Sequence, residues 1–365
     1  MMDINNEILK LDWKREPYGL YEPIEYTLAA GGKRVRPQLA MIASQLFGGK
    51  DEEVLPAALA LEVFHNFTLL HDDVMDKADV RRGRPTVHVK WNENTAILSG
   101  DQMLIEAYKL LSGVPADKLP KVLQLFNKMA TEICEGQQYD VDFENQEHVT
   151  IDEYLKMIRL KTSVLLANAL QTGAYIAGAD EQAQEALYQF GINIGLAFQI
   201  QDDILDVWGD PKTFGKAVGG DISCNKKTFV YLKAKRLLGD EAMRREELEK
   251  WYSQVLEDNT EKIAAVKEIF ERLGVRPLCE LVVDDYTNKA LELLNTLPQN
   301  EATEQLRQLA NKLTTRKDLS FETLKTFKTL ETFLTPHNIC LTVDYQKQTK
   351  HVYVLSSKPY DMLAK

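Results

Sequence analysis

Cysteine is scarce in this chain of 365 residues: there are four, Cys134, Cys224, Cys279 and Cys340, and no two form a C-x-x-C pair. That spacing excludes a disulfide framework and a zinc site built on paired thiolates, and it fits reduced thiols in a cytosolic protein. Positive charge is in deficit, with 44 Lys and Arg against 55 Asp and Glu and a net charge of -11. A nucleic-acid binder would need a basic face, so that class is set aside, although local basic clusters can still hold a small anion. Long apolar runs are missing as well. The most apolar stretches, such as residues 165–179, which contains Asn168 and Gln171, fall short of the ~20 residues of a membrane span. The N-terminal segment carries acidic residues and no apolar core, so no signal peptide is expected, and the reading is a soluble, cytoplasmic protein. Strand-type alternation is rare until the end of the chain.

What is present is helical periodicity. Apolar content is 44%, ample for a core, and the length allows one large helical domain or two ordinary ones. The spacing predicts helices over 37–47, 52–78, 92–111, 118–139, 151–177 and 182–207. Residues 208–227, holding Pro211, Gly215, Gly219 and Gly220, contain too many breakers for a helix. Helices over 228–238, 242–258, 260–273, 276–294 and 301–316 complete the body. The fold class is therefore all-α, a large helical bundle. Beyond Pro336 the runs 339–345 and 351–355 alternate as strands do and resemble a small β-hairpin.

Two stretches concentrate acid at the ends of apolar helices. The first is Leu69-Leu70-His71-Asp72-Asp73-Val74-Met75-Asp76. At helical pitch Asp72 and Asp76 share one face, with Asp73 about 100° round. Carboxylates this close repel one another, and partial desolvation adds to the cost, so the cluster asks for a metal or a basic partner. Oxygen-only ligands point to a hard ion such as Mg2+. A single such cluster is equally a solvated helix end. The second copy, Gln199-Ile200-Gln201-Asp202-Asp203-Ile204-Leu205-Asp206, repeats the internal pattern after another apolar run. Two solvated helix ends with the same pattern would be an odd coincidence. Asp284-Asp285 is the control: position 288 is Asn, the four-residue repeat is absent, and the pair is read as surface.

Basic residues stand near both clusters. Gly31-Gly32-Lys33-Arg34-Val35-Arg36-Pro37 places three cations beside flexible glycines before a helix, an arrangement suited to phosphate. Arg81 and Arg82 follow the first acidic cluster closely. With Lys33 and Arg36 they would let one cavity hold two anions, one through Mg2+ and one directly. Lys161-Thr162 interrupts an apolar helix, where a charge needs a partner. Lys216 and Lys226 follow the second cluster; ligation of the same phosphates and an ordinary exposed loop are both open readings for them.

In order, GGKRVRP, LLHDDVMD, RRGRPTVH, KT, FQIQDDILD, FGK and GGD, over roughly residues 18–317, resemble the polyprenyl synthetase family, the trans-isoprenyl diphosphate synthases. The resemblance implies an isoprenoid synthase fold with a central cavity over 1–318, usually homodimeric, and leaves 319–365 as an extension without counterpart. It implies an allylic diphosphate bound by about three Mg2+ ions between Asp72, Asp73 and Asp76 and Asp202, Asp203 and Asp206. Arg81, Lys161, Lys216 and Lys226 would stabilise the leaving diphosphate. Isopentenyl diphosphate would be held without metal by Lys33, Arg36, His65 and Arg82, with Arg34 of the same basic motif beside them. Thr162 and Gln199 match positions whose oxygens face the allylic cation. From residue type alone, His65 on an apolar helix is more often a satisfied core histidine.

Product length is expected from the residues upstream of the first aspartate. Thr68 and Phe67 occupy the family's pocket floor, and a bulky aromatic there implies a short product, geranylgeranyl first and farnesyl second. The compact first motif leans the same way. A terpene cyclase of the same fold would usually replace the second aspartate motif with an Asn/Ser/Glu triad, and a non-catalytic partner subunit would tend to lose a motif; both motifs are intact here. A phosphohydrolase built on His71-Asp72 would need further His and Asp ligands on other helices, and His65 on the same helix does not supply one.

Overall fold

Two helices of this chain are apolar on nearly every side, and their burial organises the rest. In the computed structural model, which describes residues 3–209, 218–239, 242–314, 333–334, 339–344 and 349–354, both lie in the core. The first is α4 (Asp51–Met75). Val54, Ala57, Ala58, Leu59, Ala60, Leu61, Val63 and Phe64 are all buried, which leaves it no solvated face over those turns. Among the described helices it is the one long and apolar enough to cross a membrane, yet 67% of that window is buried inside the protein. Asp51, Glu52 and Glu53 fill its first turn and complement the helix dipole. The second is α10 (Glu181–Trp208), capped by Asp180 and buried from Leu187 to Val207 on several faces. Each ends in an aspartate motif.

The helices around them follow in chain order. α1 (Ile4–Leu9) and α2 (Tyr18–Leu28) precede α3 (Val35–Leu46). After α4 a two-residue-strand hairpin, β1 (Val80–Arg81) and β2 (Arg84–Pro85), turns through Arg82 and Gly83 at φ 53° and 72°. Then come α5 (Val87–Lys90), α6 (Glu93–Leu111), α7 (Leu119–Asn145), α8 (Ile151–Ile158), a π-helical turn at Arg159–Ser163, and α9 (Val164–Ile176). Beyond α10 lie α11 (Gly220–Ser223), α12 (Phe229–Leu238), α13 (Ala242–Tyr252), α14 (Thr260–Arg272), α15 (Val275–Leu294) and α16 (Glu301–Thr314). Helix α4 packs on α3 and α6, α10 packs on α9 and α15, and α3 on α9 joins the two halves. The class is all-α, as the periodicity predicts. Asp284 and Asp285 are exposed on α15, and Asp285 pairs with Lys289 at 2.7 Å, an ordinary surface pair.

The chain divides into two units, Met1–Arg316 and Lys317–Lys365. In the second unit β3 (Phe333–Leu334), β4 (Ile339–Asp344) and β5 (Thr349–Val354) form an antiparallel sheet in that order, with Asp344 opposite Thr349 at the β4–β5 end.

Candidate active site

The three aspartates of each motif have different surroundings. In the last turn of α4, Asp72 is half-buried, Asp73 is 5% exposed and Asp76, the C-cap, is exposed. Asp73 Oδ1 accepts from Nε and Nη2 of Arg81, each at 2.7 Å. Burial raises the Asp72 carboxyl above its ordinary range; Lys161 works against that rise, and Asp76 and Asp140 add to it. In α10, Asp203 is 3% exposed and accepts the Tyr154 hydroxyl at 2.5 Å, the Phe229 N–H at 3.0 Å and Gln199 Nε2 at 3.4 Å. Burial and then Asp221 push its pKa well up. Asp206 Oδ2 accepts the Asp221 N–H at 3.0 Å. The middle aspartate of each motif thus has a side-chain partner, Asp73 with Arg81 and Asp203 with Tyr154.

Two lysines stand among these carboxylates. Lys161 Nζ donates to Asp140 Oδ2 at 2.6 Å, the partner that a charge in this apolar stretch requires. Lys161 belongs to the π-helical turn, and two glycines make room for it. A Cβ on Gly136 of α7 would stand 2.3 Å from the Lys161 backbone nitrogen, and one on Gly195 of α10 would stand 2.5 Å from Ser163 Cα. π-Turns recur at functional sites because they re-aim side chains within a helix. Here the turn brings Thr162 Oγ1 to Gln199 Oε1, 3.3 Å, and so into the chain of hydrogen bonds that ends on Asp203. Lys226 is partly buried. Burial works against its charge, but Asp76, Asp221 and Asp140 outweigh it and raise its pKa, so it is within the field of the first motif and of Asp221 and Asp140. Lys216 lies outside the described residues.

Beside this acidic region is a cavity of about 470 Å³ whose lining includes Lys33, Arg36, His65, Arg82 and, from α10, Phe198. Three separate stretches of chain therefore deliver cationic or imidazole groups to one space. Arg36 Nε is buried with no hydrogen-bond partner. Burial, with Arg82 adding and Glu62 opposing, lowers the Arg36 pKa to about 10, which leaves it charged at neutral pH. A buried, charged donor without an acceptor suits an anionic ligand. Burial first, then Arg36 and Arg82, hold His65 well below its usual range, so its imidazole is neutral. Arg82 is held over Gly32, its Nη1 donating to the Gly31 carbonyl.

The sequence pattern of the polyprenyl synthetase family matches residues 17–273. The chain belongs to the polyprenyl synthetase family. The short chain isoprenyl diphosphate synthase of Methanocaldococcus jannaschii is 41% identical over 279 residues, 75% of this chain and 83% of that protein. The geranylgeranyl diphosphate synthase of Methanosarcina mazei is 45% identical over 220 residues, 60% of this chain and 68% of the other. A crystal structure of a geranylgeranyl pyrophosphate synthase superposes with a TM-score of 0.81 at 45% identity, covering 87% of this chain and all of that one. A geranylgeranyl pyrophosphate synthase from Corynebacterium glutamicum, solved with isoprenyl diphosphate and magnesium, gives 0.77 at 29% identity over 86% of this chain and 97% of its own.

Arg34 lines the same cavity as Lys33 and Arg36, yet its surroundings differ from theirs. Arg34 was expected beside Lys33 and Arg36 as an anion ligand. It is 4% exposed, and its guanidinium donates to Glu62 at 2.7 Å, the Leu28 carbonyl at 2.5 Å and Asn5 Oδ1 at 3.1 Å. Arg34 occupies the left-handed region at φ 48°, at the N-cap of α3.

Phe67, expected as pocket floor, sits between Phe64 and His71 with ring centroids at 5.4 and 4.8 Å. Phe64 continues to Phe126 at 5.2 Å and Phe126 to Tyr108 at 5.1 Å, an aromatic series across α4, α7 and α6. Thr68 Oγ1 donates to the His65 carbonyl at 2.8 Å. Sequence reasoning did not single out Asp140 and Tyr154, and it gave Asp221 no role beyond its place in the GGD motif. For Asp140 a signal exists: it is four residues after Gly136 and so on the same face of α7, one residue admitting the π-turn and the other holding its lysine.

Among the described residues no three carboxylates, imidazoles or thiolates converge by themselves on a metal-sized point. The donors are still of the right kind for a hard cation: all oxygen, partly desolvated and mutually repelling, as the raised Asp72 carboxyl shows. A cation that brings its own anionic ligands would complete such a set.

Proposed function

We propose that this polyprenyl synthetase condenses an allylic prenyl diphosphate with isopentenyl diphosphate, head to tail, to give a short all-trans prenyl diphosphate, geranylgeranyl in preference to farnesyl. The observation that carries the reading is the adjacency of two unlike anion sites. One is acidic, with Lys161 and Lys226 among its carboxylates; the other is the cavity holding Lys33, Arg36, His65 and Arg82. They meet on α10, where Phe198 lines the cavity and the next residue, Gln199, is bonded to Thr162 and Asp203.

The roles follow from charge. Mg2+ ions held by Asp72, Asp76, Asp202 and Asp206 would neutralise diphosphate oxygens as the C–O bond breaks. Lys161 and Lys226 add fixed positive charge where the diphosphate leaves with the bonding electron pair. The allylic cation left behind lies against the oxygens of Thr162 and Gln199. Arg36, Arg82, Lys33 and the neutral His65 orient isopentenyl diphosphate so that its double bond supplies the electrons of the new C–C bond. A proton is then lost to the departed diphosphate, and the double bond re-forms. Asp73 and Asp203, already committed to Arg81 and Tyr154, support this site from behind. The reading extends to a cytoplasmic homodimer in which 1–318 is the synthase and 319–365 is appended.

Purified protein incubated with Mg2+, isopentenyl diphosphate and, separately, dimethylallyl, geranyl or farnesyl diphosphate should yield elongated products, with geranylgeranyl diphosphate the main end point. No elongation from any primer would sink the synthase reading. Phe67→Ala opens the aromatic series next to the first motif and should lengthen the product; an unchanged product distribution would place the floor elsewhere.

A further inference from the structure

Lys262 on α14 is a lysine that the reaction outlined above does not use, and it is 0% exposed. A buried ammonium is costly unless its donors are met. Its three donors meet three acceptors: the Ser223 carbonyl at 3.3 Å, Asn225 Oδ1 at 2.6 Å and the Gln254 carbonyl at 2.8 Å. Ser223 is the last residue of α11, so its carbonyl is one of the helix-end acceptors that need an outside donor. Asn225 stands at φ 57° and donates from Nδ2 to the Gln254 carbonyl at 3.3 Å. The next residue of α14, Ile263, fills the space over Gly219, where a Cβ would come within 2.7 Å of its side chain. Helix α14 therefore grips the 219–228 loop from behind at two places.

The front of the same loop meets the second aspartate motif. The Gly219 N–H donates to the Asp206 carbonyl at 2.6 Å, the Asp221 N–H to Asp206 Oδ2 at 3.0 Å, and the Phe229 N–H to Asp203 Oδ2 at 3.0 Å. Inside the loop the Lys226 N–H closes on the Asp221 carbonyl at 2.9 Å. Lys226 reaches from here into the field of Asp76 and Asp140, on the other side of the site. Whatever fixes Ser223 and Asn225 thus fixes Asp221, two residues before the first, and Lys226, next to the second.

We propose that Lys262 is a positioning residue for the metal–diphosphate half of the site. Its ammonium ties Ser223, Asn225 and Gln254 together and so presets Asp221 and Lys226 before substrate arrives. The inference rests on the reading of that half as the allylic diphosphate site. It differs from a general packing role because Lys262 serves one half of the site only; the cavity of Arg36 and His65 is built from other elements.

The test compares wild type with Lys262→Met and Asn225→Gly, the second keeping the residue that best tolerates positive φ while deleting the amide link. Binding of inorganic diphosphate with Mg2+ is measured by calorimetry, and KM for the allylic substrate and for isopentenyl diphosphate by turnover. Lys262→Met should weaken diphosphate binding and raise the allylic KM about tenfold or more, and leave KM for isopentenyl diphosphate within about twofold. Asn225→Gly should shift the same quantities in the same direction by less. Wild-type diphosphate binding in a folded variant, or equal losses for both substrates, would overturn the proposal. If Lys262→Met does not fold, Asn225→Gly decides alone. A wild-type protein without prenyl transfer would sink the proposed function, and the calorimetric comparison would still decide this one.

Discussion

Arg34, Arg36 and His65 show how a tertiary neighbour sorts residues that look alike in the chain. Arg34 and Arg36 are two positions apart in one basic motif, yet Glu62 claims the first and the second keeps a buried Nε without an acceptor. That distinction was not legible, because Glu62 lies on another helix and carries no motif of its own. His65 was legible only through its match to the family pattern; what the structure adds is that burial and the nearby arginines keep it neutral. This has a pH consequence. The folded imidazole binds its proton well below the ordinary value near 6.5, so just below that pH the unfolded chain holds a proton that the folded chain does not. Folding stability should therefore fall as pH drops through that window, by at most about 1.4 kcal/mol per pH unit for one group. His65→Gln should flatten this slope, read as urea midpoints at neutral and mildly acid pH. A slope unchanged by the substitution would assign the acid loss to another group.

At the level of elements, the helices were readable from period and caps, and the two acidic ends from their repetition. The π-helical turn was not. Residues 151–177 read as one helix because the apolar spacing on either side of Lys161 hides a single extra residue. Its cause lies on α7 and α10, where Gly136 and Gly195 admit it. Because the atoms opposed to a Cβ at Gly195 are the Cα, Cβ and Oγ of Ser163, all within 2.5 Å, no flexible side-chain end can move aside. Gly195→Ala should thus cost at the upper end of about 1–3 kcal/mol. The folded fraction should also lose turnover, since a shifted turn separates Lys161 from Asp140 and Thr162 from Gln199. Gly19→Ala is the control: it lies in α2 with nothing within 4 Å, and alanine there should be neutral or mildly stabilising. Equal stability of the two variants would show that the π-turn does not depend on the Gly195 contact.

For the whole molecule, the net charge of -11 favours solubility, and against that background one helix face stands out. Helix α6 buries Ala96, Ser99, Gly100, Met103, Ala107 and Leu111, while Ile97, Leu98, Ile105 and Tyr108 are 42%, 58%, 53% and 40% exposed. At helical pitch those four residues fall within about 100° of the circumference. An apolar stripe of this kind is the mark of an interface. In the proposed homodimer a second copy of the chain would cover it with the fewest requirements, because a twofold axis would set the stripe against itself. Tyr108 also contacts Phe126 and begins the aromatic series that ends at Phe67, so the stripe stands at the outer end of the proposed product wall. Light scattering should then give the wild-type chain a mass about twice 41.6 kDa. Ile105→Glu, placing a charge in the middle of the stripe, should halve that mass with the helical content intact. If product length depends on the covered stripe, the monomeric variant should also release a broader or longer product distribution than wild type. A monomeric wild-type chain would remove the dimer from the reading and leave the chemistry of the two anion sites untouched.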